Sequence, residues 1–236
     1  MPQISTMRHD GITPEILYAT PIHVIGTGGV GSHVVELLAR MQLARPGLYL
    51  YDGDVVEAHN PPNQQFTREH IGQSKVSALA KQAAVWSDDQ VPIHANIGMV
   101  TEPLSLSGIV FLCLDSMTAR RSICEQSLFK NSAVKLVIET RMDASLAEVW
   151  IFDPNNPVHE QCWLAYWFPD SEAENEVGCG GHYAIPTATS MTANLAVQVL
   201  LNHFKEPQPS PTPNRLRLNL RDWRLDTKIW PTTLDQ

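Results

Sequence analysis

The six residues Gly26-Thr27-Gly28-Gly29-Val30-Gly31 constrain this chain more than any other feature. They stand where the apolar run Ile22 to Ile25 gives way to a segment whose Val34, Leu37, Leu38 and Met41 recur at i, i+3, i+4 and i+7. The run predicts a buried strand, and the spacing predicts an amphipathic helix. Glycines let the backbone turn sharply between the two and approach a ligand phosphate. The first turn of the helix adds unpaired N–H groups and the positive end of its dipole. A second strand, Leu48 to Tyr51, ends at Asp52, whose carboxylate suits ribose hydroxyls. In that order these parts predict a nucleotide site lined by Gly26, Gly28, Gly29 and Gly31. A tight structural turn, with Asp52 as its capping acid, is the plain alternative.

The alternation continues along the first half. Val76, Leu79, Ala80 and Ala83 repeat the helical spacing, Ile109 to Leu114 and Val134 to Ile138 are buried-strand runs, and residues 117–130 between them look helical. This predicts an α/β fold: a Rossmann-like, mostly parallel sheet with helices on both faces. The second half is less regular. It offers a strand at Ala147 to Phe152, a turn-rich break at Asp153 to Pro157 and a loop-like stretch over 169–190. A helix then runs to about Phe204. Prolines at 207, 209, 211 and 213 force an extended connector. Beyond it, Leu216 to Leu220 and roughly 222–230 predict a C-terminal antiparallel extension.

With 43% hydrophobic and 18% charged residues, 236 residues can bury a sizeable core, which excludes a disordered or fibrous chain. Seventeen basic against 25 acidic residues leave a formal charge of −8, unfavourable for sequence-independent binding to nucleic acid or anionic membrane. No apolar run reaches the ~18 residues of a membrane span, and no secretory signal is visible. Four cysteines are too sparse for a disulfide scaffold, so a reducing cytoplasm is the expected compartment.

The more discriminating signal follows the second strand. Asp52-Gly53-Asp54-Val55-Val56-Glu57 leads through Asn60 and Gln64 to Ile71-Gly72-Gln73-Ser74-Lys75, and Leu114-Asp115-Ser116-Met117-Thr118-Ala119-Arg120 follows a central strand. With the glycine turn, these segments resemble the ThiF/MoeB/HesA family, bacterial relatives of ubiquitin-activating enzymes, in order and spacing over residues 22–121. A looser similarity continues through Cys162, Cys179 and the helix from Pro186. The resemblance implies an ATP-binding adenylation domain over 1–205. Residues 206–236 would supply the Pro-rich connector and strands packing on the same domain. It implies an adenylyltransferase using ATP and Mg²⁺. The C-terminal carboxylate of a ubiquitin-fold or sulfur-carrier protein with a Gly-terminated tail would attack the α-phosphate, giving acyl-adenylate and pyrophosphate. Such chemistry asks for alignment and charge compensation more than acid–base work.

Carried over by position, the four glycines line the nucleotide, Asp52 holds the ribose, and Asp54 and Ser116 belong to the same nucleotide shell. Lys75 meets the phosphates, Asp115 is linked to the metal, and Asn60 and Gln64 make polar contacts near the phosphates. Arg8 is the candidate for the N-terminal arginine that reaches the ATP of the other protomer in a homodimer. Local readings stand beside these: Lys75 as a solvated first-turn lysine, Asp115 as a helix cap, Asn60 as a turn residue, Arg8 as part of a free tail.

The sequence also departs from the pattern. Asn63 stands where the family has an arginine between Asn60 and Gln64, and asparagine lacks the charged fork. Either Arg68 or Arg8 of the partner subunit replaces it, or adenylation is slow or lost. Ala165 follows Cys162 by three residues and no cysteine follows Cys179, so no structural zinc of the two-CxxC type is expected. Cys179, among Gly178, Gly180 and Gly181, reads either as a covalent acceptor of the activated acyl group or as an unreactive loop thiol. Cys113 and Cys124 read as core thiols. Arg141 meets a phosphate or the acceptor tail, or pairs with Glu139 or Asp143. Trp163, Tyr166, Trp167 and Phe168 cover that tail or belong to a core or dimer contact. A nucleotide-binding scaffold that has lost catalysis, a peptide- or tRNA-modifying enzyme of the same family, and an NAD(P)-dependent oxidoreductase remain as competing functions.

Overall fold

Every residue of the runs at Ile22–Ile25 and Gly108–Leu112 is buried, which suits strands covered on both sides. The computed structural model describes residues 5–9, 11–98, 100, 103–172, 185–207 and 211–231. Its strands are β1 (Ile22–Ile25), β2 (Leu48–Asp52), β3 (Ile93–Ile97), β4 (Gly108–Leu112), β5 (Val134–Asp143), β6 (Leu146–Phe152), β7 (Arg215–Asn219) and β8 (Arg224–Lys228). The helices are α1 (Gly29–Arg40), α2 (Lys75–Trp86), α3 (Met117–Ile123), α4 (Pro157–Ala165) and α5 (Pro186–His203). One sheet of order β3-β2-β1-β4-β5-β6-β7-β8 results, with β3 to β5 parallel across the order and β6 to β8 added antiparallel. Strand order reverses between β1 and β4. The carboxyl ends there form the crevice where doubly wound sheets bind ligands.

Each face of the sheet carries its own core. On one face, Val34 and Leu38 of α1, Val76 and Leu79 of α2, and Ala196 and Leu200 of α5 cover Val24, Leu50, Phe111 and Ile138. On the other, Ile123 of α3 and Trp163 of α4 pack with Ile25, Val110, Val137, Phe152 and Trp230. Full burial of a side chain of this size contributes about 1.5–3 kcal/mol. Trp230 brings the C-terminal segment into the second core, 5.9 Å from the ring of Trp150. Among the described residues no helix is long and apolar enough to cross a membrane.

The structure differs from the periodicity in several places. The helix expected over 117–130 is α3, which loosens into a π-helical turn at Cys124–Leu128. In the stretch expected as a loop over 169–190, Asp170–Glu172 form a 3-10 turn and the last five residues are helical, because α5 begins at Pro186; 173–184 lie outside the described residues. Strand β5 runs on from Ile138 to Asp143 and carries Arg141 into the sheet. Two elements went unread: β3, exposed along most of its length, and α4. A local signal for α4 exists, since the Asn156 side chain accepts the Val158 N–H at 2.9 Å and Pro157 follows the cap.

Candidate nucleotide site

A cavity of about 410 Å³ opens at the carboxyl ends of β1, β2 and β4. Gly26, Gly28, Gly29, Asp52, Asp54, Gln64, Lys75, Cys113, Leu114 and Asp115 are among its lining residues. The glycine turn is built by necessity rather than by preference. Gly26 has φ +87°, and a Cβ there would stand 2.7 Å from the Cys113 carbonyl oxygen. Gly31 does not line the cavity. A Cβ at that position would meet the Gly26 oxygen at 1.9 Å, so it is needed for α1 to start hard against the turn.

Asp52 ties this turn to the exit of β2. Its Oδ2 accepts the Thr27 N–H at 2.7 Å and the Thr27 hydroxyl at 3.0 Å, and its Oδ1 accepts the Asp54 N–H at 2.9 Å. A carboxylate has about four lone-pair positions, so one is left for a ligand hydroxyl. Lys75 opens α2 with its N–H on the Asp54 carbonyl at 3.0 Å, and its Nζ donates to Asp54 Oδ2 at 2.7 Å. Only 9% of that lysine side chain is exposed, against 60% of Asp54, so the aspartate holds the ammonium at the cavity wall. Among the described residues the buried Gln64 Oε1 has no hydrogen-bond partner. Such an orphaned amide in a cavity wall is a group waiting for a polar ligand. Asp115 is exposed just past β4, and its carboxylate has no hydrogen bond or ion pair among the described residues.

Other candidates sit differently. Asn60 is buried off the cavity, where its Oδ1 accepts the Glu57 N–H at 2.8 Å and its carbonyl accepts the Gln64 N–H at 3.0 Å. It shapes the loop that presents Gln64. Ser116 caps α3, accepting the Ala119 N–H at 3.0 Å, and donates to Asp170 Oδ2 at 2.8 Å. Arg8 is exposed in a short 3-10 turn and does not line this chain's cavity. Cys179 lies outside the described residues. Cys113 follows the end of β4 at Leu112; it is half-buried, packs against the core and also lines the cavity.

Arg141 does not line the cavity either. It belongs to a buried cluster beneath the site, with its Nε 2.6 Å from Glu139 Oε1, its Nη1 donating to the Tyr166 carbonyl at 3.2 Å, and its guanidinium stacked 4.7 Å over Trp150. Glu139 also takes Arg120 Nη1 at 2.9 Å and the Trp163 indole N–H. Burial works against the charge on Glu139. The guanidiniums of Arg141 and Arg120 outweigh it and hold the carboxyl below its ordinary range. Trp163 is therefore a core residue that orients Glu139, and Trp167 donates to the Met117 carbonyl at 2.9 Å.

On the cavity's other side, burial and then Tyr49 push Tyr51 up to about 12, and burial pushes His23 down to about 4. His23 Nε2 accepts the Ser107 N–H at 3.4 Å, so its proton sits on Nδ1, 3.0 Å from the Tyr51 hydroxyl. Because the folded pKa lies below the unfolded value, stability from His23 is complete above pH 6.5 and falls as pH drops towards 4. The total is on the order of 3 kcal/mol. Denaturant titrations of wild type and His23→Gln across this window should show a shallower slope in the variant. Equal slopes would mean that His23 protonates freely in the folded protein.

The profile described as the ThiF family matches residues 3–229. Ubiquitin-like modifier-activating enzyme 5 of Drosophila grimshawi is 30% identical over 118 residues, 43% of this chain and 29% of that protein. The Aedes aegypti enzyme of the same name is 28% identical over 139 residues, 51% of this chain and 34% of its own. The matched stretch thus spans about a third of these relatives. Among solved structures, PaaA superposes with a TM-score of 0.70 at 19% identity, covering 91% of this chain and 74% of its own. Escherichia coli MccB with ATP gives 0.67 at 13% identity, covering 90% and 64%. Likeness at these identities is a likeness of fold.

Proposed function

Since the chain belongs to the ThiF family, we propose that it is an ATP-dependent adenylyltransferase acting on the C-terminal carboxylate of a small protein or peptide. The observation that carries this reading is the cavity at the strand-order reversal, where a glycine turn, a pre-held lysine and the exposed Asp115 carboxylate converge. In it, the turn and the N-terminus of α1 cradle phosphate oxygens, Asp52 takes a ribose hydroxyl, and Gln64 and Lys75 reach the phosphates. Asn60 and Ser116 act from behind this wall by shaping its loops.

Mg²⁺ is held by one or two carboxylates together with nucleotide phosphates and water. Among the lining carboxylates, Asp52 and Asp54 are engaged and Asp115 is open, which fits a metal arriving with the nucleotide. Among the described residues no group of three or more His, Cys, Asp or Glu side chains could hold a metal ion by itself. When bound, the ion neutralises charge growing on the departing pyrophosphate. The attacking carboxylate is already a nucleophile at neutral pH. Attack on the α-phosphorus forms the carboxyl–phosphate bond and breaks the bond to pyrophosphate, so no base is required.

Our first choice of acceptor is a ubiquitin-fold protein with a glycine-terminated tail, with later transfer to Cys179. The enzyme would be a cytoplasmic homodimer in which Arg8 of the partner subunit makes up for Asn63. Peptide acceptors are the nearest alternative; MccB, a microcin C7 biosynthetic enzyme of similar fold, has been solved in complex with N-formylated MccA.

The test is ATP–pyrophosphate exchange measured with and without a ubiquitin-fold acceptor ending in Gly-Gly. Acceptor-dependent exchange that survives Cys179→Ala is expected, while a thiol-sensitive adduct disappears in that variant. Three lining carboxylates against one lysine, with Asn63 in place of arginine, favour a scaffold as second reading. ATP binding by calorimetry without exchange for any acceptor would establish the scaffold, and absence of both would remove the nucleotide site itself.

A further inference from the structure

The ladder between β4 and β5 stops at the pair Leu112–Glu139. Past that point the Arg120 side chain bridges the two segments, beside a Thr140 hydroxyl that donates to the Leu112 carbonyl at 3.5 Å. Arg120 is fully buried, and its Nη2 donates both to the Leu114 carbonyl and to the Thr140 carbonyl, the latter at 2.7 Å. Its Nη1 lies 2.9 Å from Glu139. Leu114 immediately precedes Asp115, and a planar peptide bond makes the Leu114 carbonyl and the Asp115 nitrogen one rigid unit. Clamping that carbonyl therefore sets the direction in which Asp115 leaves the strand and enters the cavity wall.

We infer that Arg120 is a positioning residue for Asp115: its guanidinium bridges the Leu114 and Thr140 carbonyls and so aims the Asp115 carboxylate at the metal–nucleotide complex. The inference rests on the adenylation reading, in which Asp115 meets that complex. The bridging is done by the two N–H bonds of Nη2, whose directions the plane of the guanidinium fixes while Nη1 faces Glu139. A lysine keeps the charge and still pairs with Glu139, but its single flexible ammonium does not reproduce two fixed donor directions. A purely structural cation would be rescued by lysine, and a positioning fork would not.

The experiment is calorimetric titration of the full chain with ATP, with and without Mg²⁺, alongside melting curves and exchange kinetics. In wild type, Mg²⁺ tightens ATP binding, and Asp115→Asn removes that gain. Arg120→Lys should lose about tenfold of the gain, the scale of one hydrogen bond to a charged group. Its affinity for metal-free ATP should stay at the wild-type level. In exchange, kcat should fall and KM for the metal complex should rise. Glu139→Gln removes the ion pair but leaves the carbonyl bridge, so it should melt lower and keep the gain. If Asp115→Asn leaves the gain intact, the site reading itself fails. If Asp115→Asn abolishes the gain and Arg120→Lys keeps it, the positioning role is overturned. Should Arg120→Lys not fold, Glu139→Gln decides: a retained gain supports the bridge, and a gain lost with stability overturns it.

Discussion

Asp115→Asn is expected to lower acceptor-dependent ATP–pyrophosphate exchange by at least about 100-fold, the effect of removing one group that stabilises transition-state charge. The same substitution should leave the melting temperature nearly unchanged. Asp115 is exposed, and among the described residues its carboxylate has no partner to lose. Surface changes of this kind stay within about 0.5 kcal/mol. Asparagine keeps the size and one oxygen of the side chain while removing the charge, so a loss reports on charge rather than shape. The neighbouring carboxylates make a sharp contrast. Asp52 holds the glycine turn through Thr27, and Asp54 holds Lys75. Their removal would disturb structure and chemistry together, and only Asp115 separates the two. Exchange at saturating ATP, measured beside a melting curve, checks the prediction. Exchange near the wild-type rate with an unchanged melt would place the chemistry elsewhere.

What could be read from the sequence is what is determined locally. Gly31 has no room for a Cβ against the Gly26 carbonyl, Asp52 must end a strand, and Lys75 must open a helix; each demand involves neighbours a few residues apart. The parts that escaped are set by distant partners. Arg120 reaches the Thr140 carbonyl twenty residues on, and Asp170 reaches Ser116 across 54. No periodicity carries such pairings. Asn60 reads in sequence either as a polar contact near the phosphates or as a turn residue, and its buried Oδ1 takes up the turn, off the cavity. Strand β3 gave no pattern because an edge strand exposed along most of its length is under little pressure to alternate. The sequence offered Arg141 either Glu139 or Asp143, both two residues away on the same strand face, and the structure pairs it with Glu139. That the same acid also anchors Arg120 and Trp163 depended on packing from α3 and α4.

That shared acid should give the largest stability effect in the molecule. Glu139→Ala is expected to cost about 3–5 kcal/mol, because it leaves buried guanidiniums without their counter-charge. Arg120 is fully buried and Arg141 nearly so, so water cannot take the carboxylate's place, and the Trp163 indole N–H loses its acceptor as well. For a chain of this length the loss corresponds to about 6–20 °C in melting temperature. Glutamine still accepts from Trp163 and should cost less. The acid limb supplies an independent check. Glu139 titrates below its unfolded value, so its contribution is fully present above the ordinary carboxylate range and is lost as pH falls through it towards the folded pKa. Wild type should therefore lose stability across that range faster than Glu139→Ala, and the two curves should approach one another in acid. Parallel curves would mean that the cluster holds its charge by some other means than this carboxylate. A small change at neutral pH would mean that the two arginines find water or new acceptors once it is gone.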